Sequence, residues 1–294
     1  MKRLLTTTNQ ALMISHSLPS DMRASVPLFT VPERAFMNIL FFLITAFSLC
    51  TCTRSNKLII GMDATYPPFE FVDEKGQIVG VSVEIGREIG KALGRKVEFK
   101  NINFDGLQTA LLTGALDLVI SSMSATPERR KAVDFSEPYV KTGLSVLLSK
   151  HSPIMQEADL HAPGRKIVTR LGTTGERWAR DHLPKAEIKV LDSDSSCVME
   201  VVNANVDAWI YDQISIMRYH AAHPEKTRTL LTPLREEMWA VALPRGKAEL
   251  KGKINAVLTR MRADGSFKRL ADRFMAQEQK MMAEQGIPFV FELK

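Results

Sequence analysis

From residue 57 onward the chain alternates short apolar runs with segments whose apolar residues recur every three or four positions, and no other feature constrains its fold as much. Short apolar runs read as buried strands and periodic segments as helices packed on them; strands alternating with helices require a mainly parallel sheet with crossover helices. The first series holds a strand over 58–60, a hairpin pairing 69–72 with 78–81 around Asp73-Glu74-Lys75-Gly76, and a helix in which Val81, Ile85, Ile89 and Leu93 recur until Gly94 stops it. A strand over 97–99, a helix over 107–112 ended by Gly114, and a strand over 118–120 complete it. A second series places strands over 144–148, 166–168, 188–191 and 208–211, with helices over 176–182, 198–203 and 214–220. A strand over 239–243, a helix over 248–262 and a last helix carrying Phe267, Leu270 and Phe274 follow. No period of 20 to 50 residues repeats. The expectation is an α/β chain with two lobes.

Composition narrows the class. With 45% hydrophobic and 24% charged residues the chain is neither disordered nor collagen-like nor a polytopic membrane protein. Cysteines at 50, 52 and 197 cannot form a disulfide framework, since two are nearly adjacent and the third is distant. Of the net charge of +6, residues 1–57 supply +4 through six Lys/Arg against two acids. The rest holds 33 basic and 31 acidic residues, interleaved rather than massed, which argues against a nucleic-acid partner.

The amino-terminal segment reads as an address. Residues 39–49, ILFFLITAFSL, carry no charge, but eleven residues fall short of the ~20 that a spanning helix needs. Their length suits the apolar region of an export signal, with Arg34 upstream. Cys52, with Leu49 three residues before it and Thr51 directly before it, is similar to the lipidated cysteine of bacterial lipoproteins; Cys50 follows bulky Leu49 and fits less well. Residues 1–52 are thus expected to be an export leader, and a start at Met22 or Met37 suits the patternless stretch before them.

Catalytic and metal signatures do not appear: there is no GxSxG, HExxH, Walker loop, GxGxxG or CxxC, and the six histidines are scattered. Neither a cofactor nor a metal site is expected. What does stand out is a set of polar residues just past the carboxyl ends of the expected strands, where α/β sheets bind ligands. They are Asp63 and Tyr66 after the first strand, Ser121, Ser122 and Ser124 followed by Arg129 after the strand over 118–120, Arg170, Thr173 and Thr174 after the strand over 166–168, and Asp212 after the strand over 208–211. Thr126 fits an N-cap with Pro127 at the first helical position, and Thr173 with Glu176 has the spacing of a capping box. Each of these residues also has a plain structural use as a cap or a solvated side chain. Together they offer a clamp for a carboxylate, Arg129 with a helix N-terminus, and acceptors for an ammonium group, Ser122, Ser124 and Asp212. Those are the two ends of a free amino acid.

The segments GMDATYPPFEFVDEKGQIVG, INFDGLQTALLTGALDLVISSMSATPERRKAVDFSEPY, LGTTGER and RADGSF resemble, in order over residues 57 to about 275, the family 3 solute-binding proteins of bacterial polar amino-acid ABC importers. The resemblance implies a two-lobed, periplasmic-binding-protein-like "Venus flytrap" fold with two hinge crossovers, near Lys141 and Met238. Lobe one would comprise residues 57–141 and 239–294, and lobe two 142–238. By the same resemblance, Arg129 would hold the ligand carboxylate with backbone N–H groups of Ser124 and Thr174, while Ser122, Ser124 and Asp212 take the ammonium. Tyr66 and Phe104 would enclose the side chain. The implied partners are a free L-amino acid and the membrane permease of an ABC importer, with the protein a monomer outside the cytoplasm whose only tie to a membrane is a lipid anchor.

Ligand choice turns on two residues. Asp63 at the distal end favours a basic amino acid; Arg170, if it points inward, offsets Asp63 and favours a neutral or acidic polar ligand such as glutamine. The sequence leaves that open and leans to the basic ligand. Two alternatives share the superfamily: an exported cyclohexadienyl dehydratase, for which Asp212-Gln213-Ile214-Ser215 lacks the expected second carboxylate, and a periplasmic sensor module. Residues 276–294 run beyond the resemblance, and Ile287, Phe289, Val290 and Phe291 suit a short strand on lobe one.

Overall fold

The computed structural model describes residues 56–293, so the expected leader over 1–52 and its Cys52 lie outside the described residues. Strand β1 (Lys57–Met62) is followed by a small antiparallel sheet of β2 (Thr65–Tyr66), β3 (Glu70–Val72) and β4 (Ile78–Val79). The turn between β3 and β4 closes with Gly76 N–H donating to the Asp73 carbonyl. Helix α1 (Val81–Leu93) starts directly after β4 and buries Val81, Ile85 and Ile89. It ends where Gly94 adopts a left-handed conformation and its N–H closes on the last turn, the conformation glycine enters without a Cβ penalty. Next come β5 (Lys96–Asn101), α2 (Phe104–Leu112), β6 (Leu118–Val119) and the single-turn α3 (Pro127–Arg130). Strands β5, β1 and β6 pair in parallel with β1 in the middle.

The second parallel set is β9 (Glu187–Leu191), β8 (Lys166–Arg170) and β10 (Ala208–Asp212), with α4 (Thr174–His182), α5 (Asp194–Val202) and α6 (Gln213–Ala222) in its connections. Between the two sets run β7 (Asp134–Ser149) and β11 (Thr227–Leu243), antiparallel partners that give one sheet in the order β5-β1-β6-β11-β7-β10-β8-β9. The amino half of β7 pairs with the carboxyl half of β11 beside β6, and the remaining halves pair beside β10. The chain is therefore two-lobed, each lobe a parallel set flanked by helices, and the two long strands are the crossovers. Lys141 and Met238 stand opposite each other in their ladder.

Only 144–148 and 239–243 of these strands are expected from the sequence, much less than they span. Pro138 and Pro233 argue against a central strand, and Arg235-Glu236-Glu237 reads as a solvated charge run. The fold accommodates both prolines: Pro138 sits beside a register irregularity at Ala240, and Pro233 lies in the unpaired stretch between Leu230 and Arg235. The other difference is the carboxyl end. After α7 (Ala248–Ala263) and α8 (Ser266–Phe274), residues 276–284 form a further helix, α9 (Ala276–Glu284), and 287–291 make no strand. Val290 is nonetheless fully buried, its carbonyl accepting from Lys141 N–H at 2.9 Å.

Cores lie on both sheet faces. The largest joins Leu58, Ile60, Ile85 and Ile89 of lobe one to Val198, Trp209 and Ile214 of lobe two. Trp239, fully buried in β11, packs edge-on against Phe69 at 5.0 Å and Tyr66 at 5.7 Å, so the crossover carries an aromatic cluster directly to the cleft. Among the described residues no helix is long and apolar enough to cross a membrane.

Candidate functional site

The carboxyl ends of β1, β6, β8 and β10 converge between the lobes, and the loops that leave them line one cavity. All eleven residues singled out in the sequence, Asp63, Tyr66, Phe104, Ser121, Ser122, Ser124, Arg129, Arg170, Thr173, Thr174 and Asp212, border it, joined by Glu70 and Tyr211. Its free volume is about 20 Å³, room for roughly one water. The lobes meet directly across it: Tyr66 hydroxyl donates to Asp212 at 3.3 Å, Arg129 donates to the Gly172 carbonyl at 3.0 Å, and Arg170 donates to Asp63. This is a closed cleft.

Local structure explains how each side chain is held. Thr126 caps α3 by accepting from Arg129 N–H at 3.2 Å, which fixes Arg129 in the first turn. Its guanidinium then reaches the Ser124 carbonyl at 2.9 Å and lies over the Phe104 ring, 5.3 Å from the centroid. Burial lowers the Arg129 pKa, while Glu237 and Asp212 nearby favour its charge. Ser122 sits at φ 47°, a left-handed conformation that costs a non-glycine residue about 1 to 3 kcal/mol and that clusters at functional sites. Its hydroxyl donates to Glu70 at 3.2 Å, whereas Ser121 accepts from Asp63 N–H at 2.9 Å and so positions the Asp63 loop. Thr173 caps α4 through Glu176 N–H, but Glu176 accepts from Gly172 N–H rather than Thr173 N–H, so the capping box is only half formed. Asp212 stands at the N-cap of α6 without bonding the helix; its carboxylate turns to Tyr66 and the cleft.

Arg170 points inward. It is 4% exposed, donates to Asp63 from one side and to Asp194 at 2.9 Å from the other, and approaches the Tyr211 hydroxyl at 3.4 Å. Burial alone would lower its pKa, but Tyr211, Asp194 and Asp63 together raise it, so the guanidinium stays charged. Burial pushes Asp194 up to about 6, with Arg170 opposing that rise. Asp212 is held well above the carboxylate range by burial and by the charges of Glu237 and Asp194, against the pull of Tyr66 and Arg129. Burial does the same to Glu70.

Four buried residues at or beside the cleft escape the sequence reading. Glu70 and Tyr211 read as ordinary strand residues, and Asp194 lies in a serine-rich loop without a motif. Glu237, inside the apparent charge run, is 4% exposed; its carboxylate accepts from Ser124, from Thr174 at 3.0 Å and from Arg235 at 2.6 Å. Only the alternation of β11, which turns Glu237 and Trp239 to the same side, could have pointed to it. Among the described residues no group of His, Cys, Asp and Glu is placed to hold a metal ion.

Chemically, the cleft sets two arginines, Arg129 and Arg170, among hydroxyls and carboxyl groups in a space with room for roughly one water. Its hydroxyls Ser122 and Ser124 are engaged by the carboxylates of Glu70 and Glu237, and its charged and polar groups complement the two ends of a small zwitterion. Comparison with known proteins agrees: residues 58–277 match the model of the bacterial extracellular solute-binding proteins, family 3. An arginine-binding extracellular protein, ArtP, of Bacillus subtilis is 31% identical over 79% of this chain and 94% of its own. The L-cystine-binding protein TcyJ of Escherichia coli is 26% identical over 75% and 83%. Among solved structures, an ancestral arginine-binding protein bound to glutamine is 34% identical, covers 75% of this chain and 98% of its own, and superposes with a TM-score of 0.68.

Proposed function

The chain belongs to family 3 of the bacterial extracellular solute-binding proteins, and from that premise we propose that its cleft captures a free polar L-amino acid outside the cytoplasm and passes it to the membrane permease of an ABC importer. The observation that carries this reading is the closed cleft itself, in which Arg129 faces Ser122, Ser124 and Asp212 across a space sealed by both lobes. A zwitterion taken out of water needs fixed partners for both charges, and a planar guanidinium suits the carboxylate. Arg129, with backbone N–H groups of Ser124 and Thr174, would take the carboxylate; Ser122, Ser124 and Asp212 would take the ammonium; Tyr66 and Phe104 would flank the side chain. Because a ligand bridging both lobes favours the closed form, closure is the signal a permease can read. The lobes divide at Lys141 and Met238, with residues 57–141 and 239–294 on one side and 142–238 on the other. The leader and Cys52 would export and tether a monomer. Family members are binding proteins rather than enzymes, and Gln213-Ile214-Ser215 after Asp212 supplies no general acid for a dehydratase.

The basic ligand favoured by Asp63 alone is weakened by Arg170. With Asp63 already paired, a cationic side chain at the distal end would lie against a buried guanidinium, which costs free energy that a neutral group avoids. A neutral polar amino acid of glutamine's class is therefore preferred, and the ancestral arginine-binding relative holding glutamine supports the compatibility of such a cleft with a neutral side chain.

A thermal-shift panel on the full chain, with each L-amino acid and with prephenate, tests both levels. Stabilisation by glutamine or another neutral polar amino acid, and not by arginine or lysine, is expected. Stabilisation by arginine and lysine alone would overturn the ligand class, and stabilisation by prephenate alone the binding reading. For the amino acid found, Arg129→Ala should cost roughly 3 to 5 kcal/mol, two or more decades of affinity, because it leaves a buried carboxylate unpaired. An affinity within about threefold of the parent would remove Arg129 from that role.

A further inference from the structure

The family match ends at residue 277, and the chain continues through the body of α9 and a tail that ends at the crossover. This extension touches both lobes. Helix α9 follows α8 on lobe one and packs against α6 of lobe two. The tail returns to lobe one: Val290 is buried at the crossover residue Lys141, and Phe291 meets Phe267 of α8 at 4.9 Å.

Among the described residues, its one ion pair to lobe two is placed to matter. Glu278, 5% exposed, forms an ion pair with Arg218 of α6, its carboxylate 3.1 Å from Nε. The same guanidinium donates from Nη1 to the carbonyl of Pro67 on lobe one. Pro67 directly follows Tyr66, the aromatic wall of the cleft whose hydroxyl meets Asp212. One arginine of lobe two therefore grips the loop that carries a cleft residue of lobe one, and a buried carboxylate from the extension aims it. A flexible arginine loses rotamer freedom when it makes such a bond, and a partner that pre-orients it lowers that loss.

We infer that Glu278 is a positioning residue for ligand capture: it holds Arg218 on the Pro67 carbonyl, so that the carboxyl-terminal extension latches the cleft shut and slows ligand release. The inference rests on the reading of the cleft as a binding site that opens and closes, but the contacts of the latch are made by the chain's own residues alone. Between the tail and lobe two lies a groove of about 560 Å³, walled by Gln285–Phe289 on one side and by Gln213 and Leu231–Pro233 on the other. The tail is thus anchored at the crossover and, through α9, at Arg218, with space between for lobe two to turn.

Hydrogen exchange on the ligand-free full chain, read by mass spectrometry, tests the latch. In Glu278→Gln, which keeps the shape and removes the charge, exchange in the cleft loops over 63–69, 121–126 and 171–176 should rise roughly threefold or more, the scale of a partly buried ion pair. Exchange in the core stretch 144–148 should not change. In Arg218→Gln the same loops should accelerate, and adding Glu278→Gln to it should add nothing. Unchanged cleft exchange, a uniform rise that includes 144–148, or an undiminished Glu278→Gln effect in the Arg218→Gln background would each overturn the inference. The dissociation rate of whichever amino acid the panel identifies should rise by the same factor with the association rate unchanged. A panel without any amino-acid hit would defeat the functional reading while leaving the exchange result to decide the latch.

Discussion

At the scale of single residues, the cleft is an arrangement of buried charges whose protonation can be read out. Asp194 has a folded-state pKa of about 6 against an ordinary 3.8, so the folded protein binds its proton more readily than the unfolded chain does. Its contribution is therefore most favourable below about pH 4 and is lost as pH rises to about 6, a decline of up to about 3 kcal/mol across that window. Asp194→Asn should flatten this part of the pH dependence, measured as urea midpoints at about pH 4.5 and pH 7. If the variant's midpoint falls between those pH values as far as the parent's, another buried carboxyl is responsible, and Glu70 or Asp212 is next. The residues that line the cleft were legible in the sequence because they follow the carboxyl ends of parallel strands, a rule of topology. Asp194 and Glu237 were not, because a buried carboxylate is recognised by what surrounds it. Arg170 was ambiguous for the same reason: only the positions of Asp63 and Asp194 in space determine that it turns inward.

Among the elements, the loop between β8 and α4 shows how backbone conformation and closure meet. Gly172 adopts φ 75°, and a Cβ there would stand 3.1 Å from the Asp105 Cα of lobe one. Its carbonyl also receives Arg129. Gly172→Ala adds a left-handed penalty of about 1 to 2 kcal/mol that is present whenever β8 and α4 are folded, and a steric conflict with Asp105 that exists only when the lobes are shut. Ligand affinity should accordingly fall further than stability does. Calorimetric binding beside denaturant unfolding checks this, and equal losses in both would mean that Asp105 yields without cost. Elements with a clean period were legible, as α1 with its Gly94 stop illustrates. The crossover strands were not: Pro138, Pro233 and the run Arg235-Glu236-Glu237 contradict strand chemistry locally, and what keeps those residues extended is the partner strand. Helix α9 was missed because its apolar residues, Met281 and Met282, are too few to set a period against its charged residues.

For the molecule as a whole, the two crossovers decide how the lobes share stability. Had the lobes been joined by short linkers, each would own its core and unfold alone. Here β7 and β11 each contribute one half to either lobe, and the largest core runs from Ile60 and Ile85 through Trp239 to Trp209 and Ile214. Unfolding one lobe would strip half of each crossover from its partners and open that core to water, so the described region should melt as one cooperative unit. A ligand held by Arg129 and Asp212 together, as proposed above, would bind only when both lobes are folded and closed. It therefore shifts that single transition by linkage, about 4 kcal/mol at a thousandfold excess over Kd, or roughly 8 °C or more at 2 to 4 °C per kcal/mol. Scanning calorimetry of the full chain should show one main transition that moves intact. Two transitions of which only one responds would place the ligand within a single lobe, and closure could not then be what reports its presence.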